Sequence, residues 1–137
     1  MDAITSVPVP YNEPVREYPP GSPQSDSLHR RISELERDRR ELTLTVGGKR
    51  RMAGGSPFTI VQPHRRSHVL GDSAQATEAD VASAVRAAKE AAPSWRDLPF
   101  DERAAVFLRA ADLLAGPWRD TLNAATMLGQ SKSVQQA

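Results

Sequence analysis

Alanine is the most frequent residue of this chain and occupies 19 of its 137 positions. An alanine methyl buries much less surface than a leucine or phenylalanine side chain, so it adds less of the hydrophobic free energy that a core requires. Aromatic residues make up only 5% of the chain, and hydrophobic residues of all kinds make up 39%. The sequence therefore predicts at most one domain, with a thin core.

Charge and cysteine content exclude several classes of protein. The formal net charge is +1, because 18 basic residues face 17 acidic ones, and no run of about 18 apolar residues exists to span a bilayer. The chain has no cysteine, which excludes disulfides, thiolate metal sites and a thiol nucleophile. The first ten residues carry Asp2, two prolines and no basic cluster, so they do not resemble a secretory signal, and we expect a cytoplasmic protein without membrane partners.

Residues 1–22 are predicted to form a proline-rich extended arm. Six of the eleven prolines fall between Pro8 and Pro23, and this spacing favours polyproline-like backbone. Two interpretations stay open, a disordered tail or an arm laid over a larger body or another subunit. In the second case the anchoring side chains would be Tyr11, Val15 and Tyr18.

A helix is predicted over residues 23–40. Ser22 followed by Pro23 is a helix-start signal, since a capping hydroxyl precedes a proline at the first helical position. Leu28, Ile32 and Leu35 form a narrow apolar stripe on a charged rod. Arginines alternate with glutamates and aspartates at spacings of three and four, so we expect a self-paired solvated face and no nucleic-acid partner.

Residues 41–72 are predicted to form a small antiparallel sheet. Apolar residues alternate from Leu42 to Val46 before the pair at 47–48, a second β-type run ends at Pro63, and residues 68–71 supply a third short strand. Such a sheet is only marginally stable unless something packs on it.

Helices are predicted over residues 77–128. Thr77 and Asp80 resemble a capping pair, and the first of these helices is expected to end at Ala92 because Pro93 follows it. The next covers residues 100–115, and the last is interrupted at Gly129. The predicted inward faces consist of Val81, Ala84, Val85, Ala88 and Ala92 in the first helix, Ala104, Phe107, Leu108, Ala111 and Leu114 in the second, and Trp118, Leu122, Ala125 and Leu128 in the third.

No residue of the chain is predicted to be catalytic, cofactor-binding or metal-binding. His64 and His68 are four apart, but they follow Pro63 and flank two arginines, which oppose a metal ion. The glycine pairs at 47–48 and 54–55 lack the spacing of a phosphate-binding loop and are interpreted as hairpin turns. The string from Gly129 through Gln130 and Ser131 to Lys132 is the most suggestive, yet its spacing indicates a helix-breaking turn.

The order of these segments resembles the amino-terminal portion of the aldehyde dehydrogenase superfamily. The motifs that carry this resemblance are Leu44-Thr45-Val46-Gly47-Gly48, Val61-Gln62-Pro63-His64, Val69-Leu70-Gly71, Ala76-Thr77-Glu78-Ala79-Asp80-Val81, Ala92-Pro93-Ser94-Trp95-Arg96, Phe100-Asp101-Glu102-Arg103-Ala104-Ala105 and Leu108-Arg109-Ala110-Ala111-Asp112-Leu113-Leu114. The proline-rich start, the long leading helix and the stretch from Ala125 to Lys132 are similar to the L-glutamate γ-semialdehyde (pyrroline-5-carboxylate) dehydrogenases within it.

The resemblance implies a parent enzyme that oxidises L-glutamate γ-semialdehyde to L-glutamate with NAD in proline catabolism. In that family a cysteine attacks the aldehyde, and the cysteine, the general-base glutamate and the NAD-binding units lie downstream of the position of Ala137. It therefore implies an α+β fragment of an α/β enzyme that is inactive alone, whose three later helices pack on a missing NAD-binding domain. The implied partners are the remainder of the dehydrogenase polypeptide and, for the full-length enzyme, further copies in a homo-oligomer.

Two other hypotheses stay open beside this one. The chain is alternatively a non-catalytic binding or regulatory module derived from an aldehyde dehydrogenase, or a nucleic-acid-binding helical protein built on residues 30–51. Because the core is thin, we also expect the isolated chain to be loosely packed.

Overall fold

The computed structural model describes residues 8–137, which form four helices and two small sheets. Residues 1–7, where the predicted arm begins, lie outside the described part. The elements in chain order are α1 (Pro23–Arg37), β1 (Arg40–Glu41), β2 (Leu44–Val46), β3 (Lys49–Arg51), β4 (Pro57–Gln62), β5 (Arg65–Ala74), α2 (Glu78–Asp97), α3 (Phe100–Ala115) and α4 (Arg119–Gln130). None of these helices is long and apolar enough to cross a membrane.

The described part of the arm is held to the helices near its end. Tyr11 and Val15 are 90% and 92% exposed, so they anchor nothing within the described residues. Tyr18 does: its hydroxyl donates to Asp120 Oδ1 at 3.4 Å and accepts from Asn123 Nδ2 at 3.1 Å. Of the three anchors expected from the sequence, the structure places only Tyr18 against α4.

Helix α1 begins as predicted and ends three residues earlier. The Ser22 hydroxyl accepts from the Ser25 amide at 3.2 Å, which satisfies one of the unpaired donors of the first turn. The predicted end at Arg40 is wrong, because Arg40 pairs with β5 as part of β1 and cannot do so as a helical residue. Arg39 supports this pairing with a two-pronged bond to Asp72, at 2.6 and 2.7 Å.

The hydrophobic core lies where α1 packs on α4. Its buried members are Leu28, Leu35, Ala124 and Leu128, and Ile32 and Met127 pack partly buried against them. The predicted apolar stripe of α1 is confirmed. With four buried hydrophobic side chains in the described residues, the core is thin, as the alanine content predicts.

The sheet is not the single antiparallel one predicted. Strands β1, β5 and β4 form one mixed sheet in that order, with β1 parallel and β4 antiparallel to β5, while β2 and β3 form a separate antiparallel hairpin. The prediction fails because β1 enters from α1 in the same direction as β5. A Cβ at Gly71 would lie 2.4 Å from the Arg40 carbonyl oxygen, so this close approach requires glycine.

The two glycine pairs have different roles. Gly47 and Gly48 adopt φ of 56° and 75° and close the β2–β3 hairpin, as predicted. The pair at 54–55 is not a hairpin turn, since it links β3 to a strand of the other sheet. There the Gly55 amide donates to the Gln75 carbonyl at 2.9 Å.

Helix α2 does not end at Ala92 but continues through Pro93 to Asp97. A proline inside a helix removes one N–H donor, and its ring crowds the carbonyl one turn earlier, so that carbonyl loses its helical hydrogen bond. That turn is exposed to water, which can satisfy the carbonyl of Lys89. The Ser94 hydroxyl also donates to the Ala91 carbonyl at 3.0 Å and so supports the backbone beside the proline.

Candidate functional site

The predicted inward faces of α2 and α3 are exposed in this chain. Val85 is 49% exposed and Phe107 68%, and the alanines of the α2 face are also exposed. Trp95 and Phe107 meet edge to face with ring centroids 6.2 Å apart, which joins the two helices. We define the α2–α3 apolar face as Val81, Val85, Trp95, Phe107, Leu108 and Leu114. Large apolar side chains exposed on two adjoining helices are typical of a site that another polypeptide covers.

The amino end of α2 is fixed by Asp80, which is only 5% exposed. Its Oδ2 accepts from the Thr77 amide at 2.8 Å and from the Gly54 amide at 3.0 Å, while Thr77 Oγ1 accepts from the Asp80 amide, so the predicted capping pair is confirmed. Its Oδ1 forms an ion pair with Arg51. The backbone donors at Gly54 and Thr77, with Arg51, hold the pKa of Asp80 well below its usual range.

A second polar cluster joins α1 to the β4–β5 turn. Gln62 is fully buried, and its amide donates to Glu36 Oε1 at 2.8 Å. Arg65 donates to the same oxygen at 2.6 Å and to Gln62 Oε1 at 3.1 Å. Every buried side-chain polar atom of the described residues has a hydrogen-bond partner. We assign this cluster a structural role, because the Glu36 carboxylate and the Arg65 guanidinium pair with each other and with Gln62.

The three histidines lie apart and have separate partners. His29 Nδ1 lies 2.8 Å from the Ser25 carbonyl oxygen, and His68 Nε2 lies 3.0 Å from that of Glu36. His64 Nδ1 lies 2.8 Å from the Ser131 hydroxyl oxygen. Across residues 8–137, no group of three His, Cys, Asp or Glu side chains is arranged to hold a metal ion.

The string from Gly129 to Lys132 ends α4 differently from the prediction. Gly129 does not interrupt the helix, which runs through it to Gln130, and Ser131 then adopts the left-handed region with φ 56° and ψ 31°. Glycine is tolerated there because a surface helix loses only about 1 kcal/mol to it relative to alanine. The predicted turn therefore lies within the string, but it begins at Ser131 and not at Gly129.

An open groove of about 440 Å³ lies beside this turn. Its apolar lining comes from α1 and α4, through Ile32, Met127 and Leu128, and its polar lining includes His64, Ser131 and Lys132. Sequence reasoning missed the contact between His64 and Ser131. They are 67 positions apart, and a serine carries no local signal for a left-handed conformation.

The comparisons with known proteins agree on one family. A model of the aldehyde dehydrogenase family matches residues 51–137, which is more than half of the chain. A curated relative, the mitochondrial delta-1-pyrroline-5-carboxylate dehydrogenase of Emericella nidulans, is 36% identical over 98% of this chain and 23% of its own length.

Solved structures give the same result. The delta-pyrroline-5-carboxylate dehydrogenase of Mycobacterium tuberculosis, in a structure bound with NAD, is 57% identical with a TM-score of 0.96 over 99% of this chain and 25% of that one. A mutant of the Thermus thermophilus 1-pyrroline-5-carboxylate dehydrogenase is 26% identical with a TM-score of 0.74 over 90% of this chain and 24% of that one. The chain thus spans about a quarter of the length of these relatives. It belongs to the aldehyde dehydrogenase family.

Proposed function

We propose that this chain is the amino-terminal portion of an NAD-dependent dehydrogenase that oxidises L-glutamate γ-semialdehyde to L-glutamate in proline catabolism. The observation that carries the proposal is the 57% identity to the Mycobacterium tuberculosis pyrroline-5-carboxylate dehydrogenase, at a TM-score of 0.96 across 99% of the chain. That likeness extends to α1 and β1, which precede residue 51, where the match to the family model begins.

The chemistry would come from other parts of the polypeptide. Aldehyde oxidation in this family needs a thiolate nucleophile, and this chain has no cysteine. NAD, which the Mycobacterium tuberculosis structure holds, would accept hydride in the longer polypeptide. No residue here is assigned a catalytic or cofactor-binding role, and we propose that the full-length enzyme is a homo-oligomer in the cytoplasm.

The role proposed for this chain is to cover and position the cofactor-binding part of the enzyme. The α2–α3 apolar face leaves large hydrophobic side chains in water, and their burial against a partner surface would release about 25 cal/mol per Å². Asp80 fixes the direction in which α2 leaves the sheet region. The polypeptide that would cover this face is the remainder of the dehydrogenase.

The test is NAD reduction with L-glutamate γ-semialdehyde as substrate. It is run on this chain, on the longest in-frame product of its locus, and on a chimera in which residues 8–137 replace the matching quarter of the Mycobacterium tuberculosis enzyme. We expect activity in the longer product and in the chimera and none in the chain alone. A soluble, folded chimera without activity would contradict the proposal.

A second candidate function is a non-catalytic binding or regulatory module. The observation that favours it is the exposed α2–α3 apolar face in a chain without a thiol, since such a face can bind a separate protein. The DNA past the last codon distinguishes the two. An in-frame continuation that encodes a cysteine-bearing region supports the dehydrogenase, and a stop codon there supports the module.

A further inference from the structure

His64 and Ser131 form a hydroxyl–imidazole pair that belongs to neither of the two polar clusters, that of Asp80 and that of Gln62. Ser131 Oγ lies 2.8 Å from His64 Nδ1, which is hydrogen-bond distance, and both residues are exposed to solvent. When the imidazole carries its proton on Nε2, Nδ1 accepts the hydrogen bond from the hydroxyl. A serine in contact with a base is the arrangement that activates a hydroxyl for attack on an acyl carbon.

The backbone presents this hydroxyl outward at the end of a helix. Ser131 sits at φ 56°, a conformation that residues other than glycine seldom adopt, directly after the last residue of α4. Side chains held in such conformations concentrate at functional sites. Here the conformation ends α4, and Ser131 lines the groove.

The groove offers complementary surroundings for a short acyl group. Ile32, Met127 and Leu128 give it an apolar wall, and the groove volume of about 440 Å³ accommodates a chain of a few carbons. Lys132 lines the same groove and adds a positive charge to it, and a positive charge favours the negative charge that develops on a carbonyl oxygen under attack.

We propose that Ser131 is an acyl-acceptor site, with His64 as its base, for short acyl groups from activated esters. In the step, Ser131 Oγ bonds to the acyl carbon and the bond from that carbon to the leaving alcohol breaks. The hydroxyl proton passes to His64 Nδ1, and the leaving group departs as its anion. This inference does not depend on the proposed dehydrogenase function.

Within residues 8–137, no third group hydrogen-bonds to the His64 imidazole to orient it. Glu36 also lines the groove, but its carboxylate accepts from Gln62 and Arg65, at 2.8 and 2.6 Å. General-base assistance in well-built sites is worth about 100-fold or more. Without a third group we expect less, an acylation of Ser131 about ten-fold faster than that of a serine without a base.

The experiment uses the 137-residue chain and p-nitrophenyl butyrate, with acid quenching and peptide mass spectrometry. Ser133, which lines the same groove, serves as the internal reference. Trypsin cleaves after Lys132, so Ser131 and Ser133 fall on different peptides. Butyrylation of Lys132 itself blocks that cleavage and is recognised by the longer peptide. The chain has no cysteine, so no thiol competes for the ester.

Three variants and a denaturant arm complete the test. Ser131→Ala removes the acceptor, His64→Gln keeps a hydrogen-bonding side chain without a proton acceptor, and Ser133→Ala is the matched control. We expect Ser131 to be labelled about ten-fold faster than Ser133, and the labelling of that peptide to be lost in Ser131→Ala. The rate at Ser131 should stay unchanged in Ser133→Ala and should fall to the Ser133 level in His64→Gln and in urea. Equal labelling of the two serines in buffer, or a preference that His64→Gln or urea leaves unchanged, overturns the proposal.

Discussion

Asp80 joins several segments of the described chain through one side chain. One carboxylate accepts from the Gly54 and Thr77 amides and the Thr77 hydroxyl, and pairs with Arg51. These donors come from the hairpin, the connection between the two sheets and the helix start, so a single side chain joins three segments. The low pKa of Asp80 follows from these donors, which all favour the ionised form.

We expect Asp80→Asn to destabilise the amino end of α2 in a pH-dependent way. Because the pKa of Asp80 is lowered on folding, its ionised form stabilises the fold above about pH 4, and this stabilisation declines as the pH falls below that value. Amide hydrogen exchange of the first turn of α2 is therefore faster in the variant than in the parent at pH 7, and the difference narrows at acid pH.

The control for this change is Asp97→Asn at the other end of α2. Asp97 is well exposed and its nearest partner, Arg96, lies 3.8 Å away, so its removal should leave exchange unchanged at every pH. A difference at Asp80 that is equally large at pH 7 and below pH 4 would show that hydrogen-bond geometry, and not the charge, is responsible.

Packing between elements concentrates stability in the α1–α4 pair. Leu28 and Leu35 of α1 meet Ala124 and Leu128 of α4, while the described residues of α3 include no fully buried hydrophobic side chain. The β4–β5 hairpin joins this pair through the cluster of Glu36, Gln62 and Arg65. We therefore expect α1 and α4 to be the last helices to open.

Leu28→Ala should remove much of that stability. Truncating a buried leucine costs about 3 kcal/mol, a large share of what so small a core supplies. Hydrogen exchange should show lost protection in both α1 and α4, although only α1 carries the substitution. Val15→Ala, at a position 92% exposed, is the control and should change nothing. Protection retained in α4 would mean that α4 does not depend on α1.

Local sequence patterns predicted the helices well and their partners less well. The α1 stripe and the caps at Ser22 and Thr77 each involve residues of a single element, so the spacing of those residues in the sequence is enough to predict them. The parallel pairing of β1 with β5 depends on Gly71 and Asp72, which lie about thirty positions after β1 in the sequence. Strand β1 has only two residues and therefore shows no alternation of apolar and polar residues that could have predicted it. The prediction that α2 ends before Pro93 is wrong because, in an exposed helix, water can replace the one backbone hydrogen bond that a proline removes.

In the candidate sites, too, contacts within one element were predictable and contacts between distant segments were not. Thr77 and Asp80 were predictable because a capping pair has a fixed spacing, whereas Arg51 reaches Asp80 only through the fold. The contact between His64 and Ser131 joins a strand turn to a helix end and leaves no pattern in either segment. The apolar faces of α2 and α3 follow from residue spacing, whereas the partner proposed for them rests on the family resemblance alone.

At the scale of the whole molecule, the chain has more apolar surface than its own core can bury. The α2–α3 apolar face stays exposed, and the buried set of the described residues is small. We therefore expect the isolated chain to unfold over a broad temperature range and to bind a hydrophobic dye such as ANS. A sharp cooperative thermal transition, with calorimetric and van't Hoff enthalpies in agreement, would contradict this expectation.

A charge placed on the α2–α3 apolar face should separate folding from assembly. Val85 is half exposed in this chain, so Val85→Glu should leave the protection of α1 and α4 intact and reduce dye binding. In the chimera with the Mycobacterium tuberculosis enzyme the same glutamate would be buried without a partner, and NAD reduction should fall about ten-fold or more. Ala79→Glu, exposed on α2 but outside the Val81–Val85 stripe, is the control and should keep full activity. If Val85→Glu left the activity of the chimera unchanged, this face would not contact the cofactor-binding part of the enzyme, and its exposed side chains would have to meet a different partner.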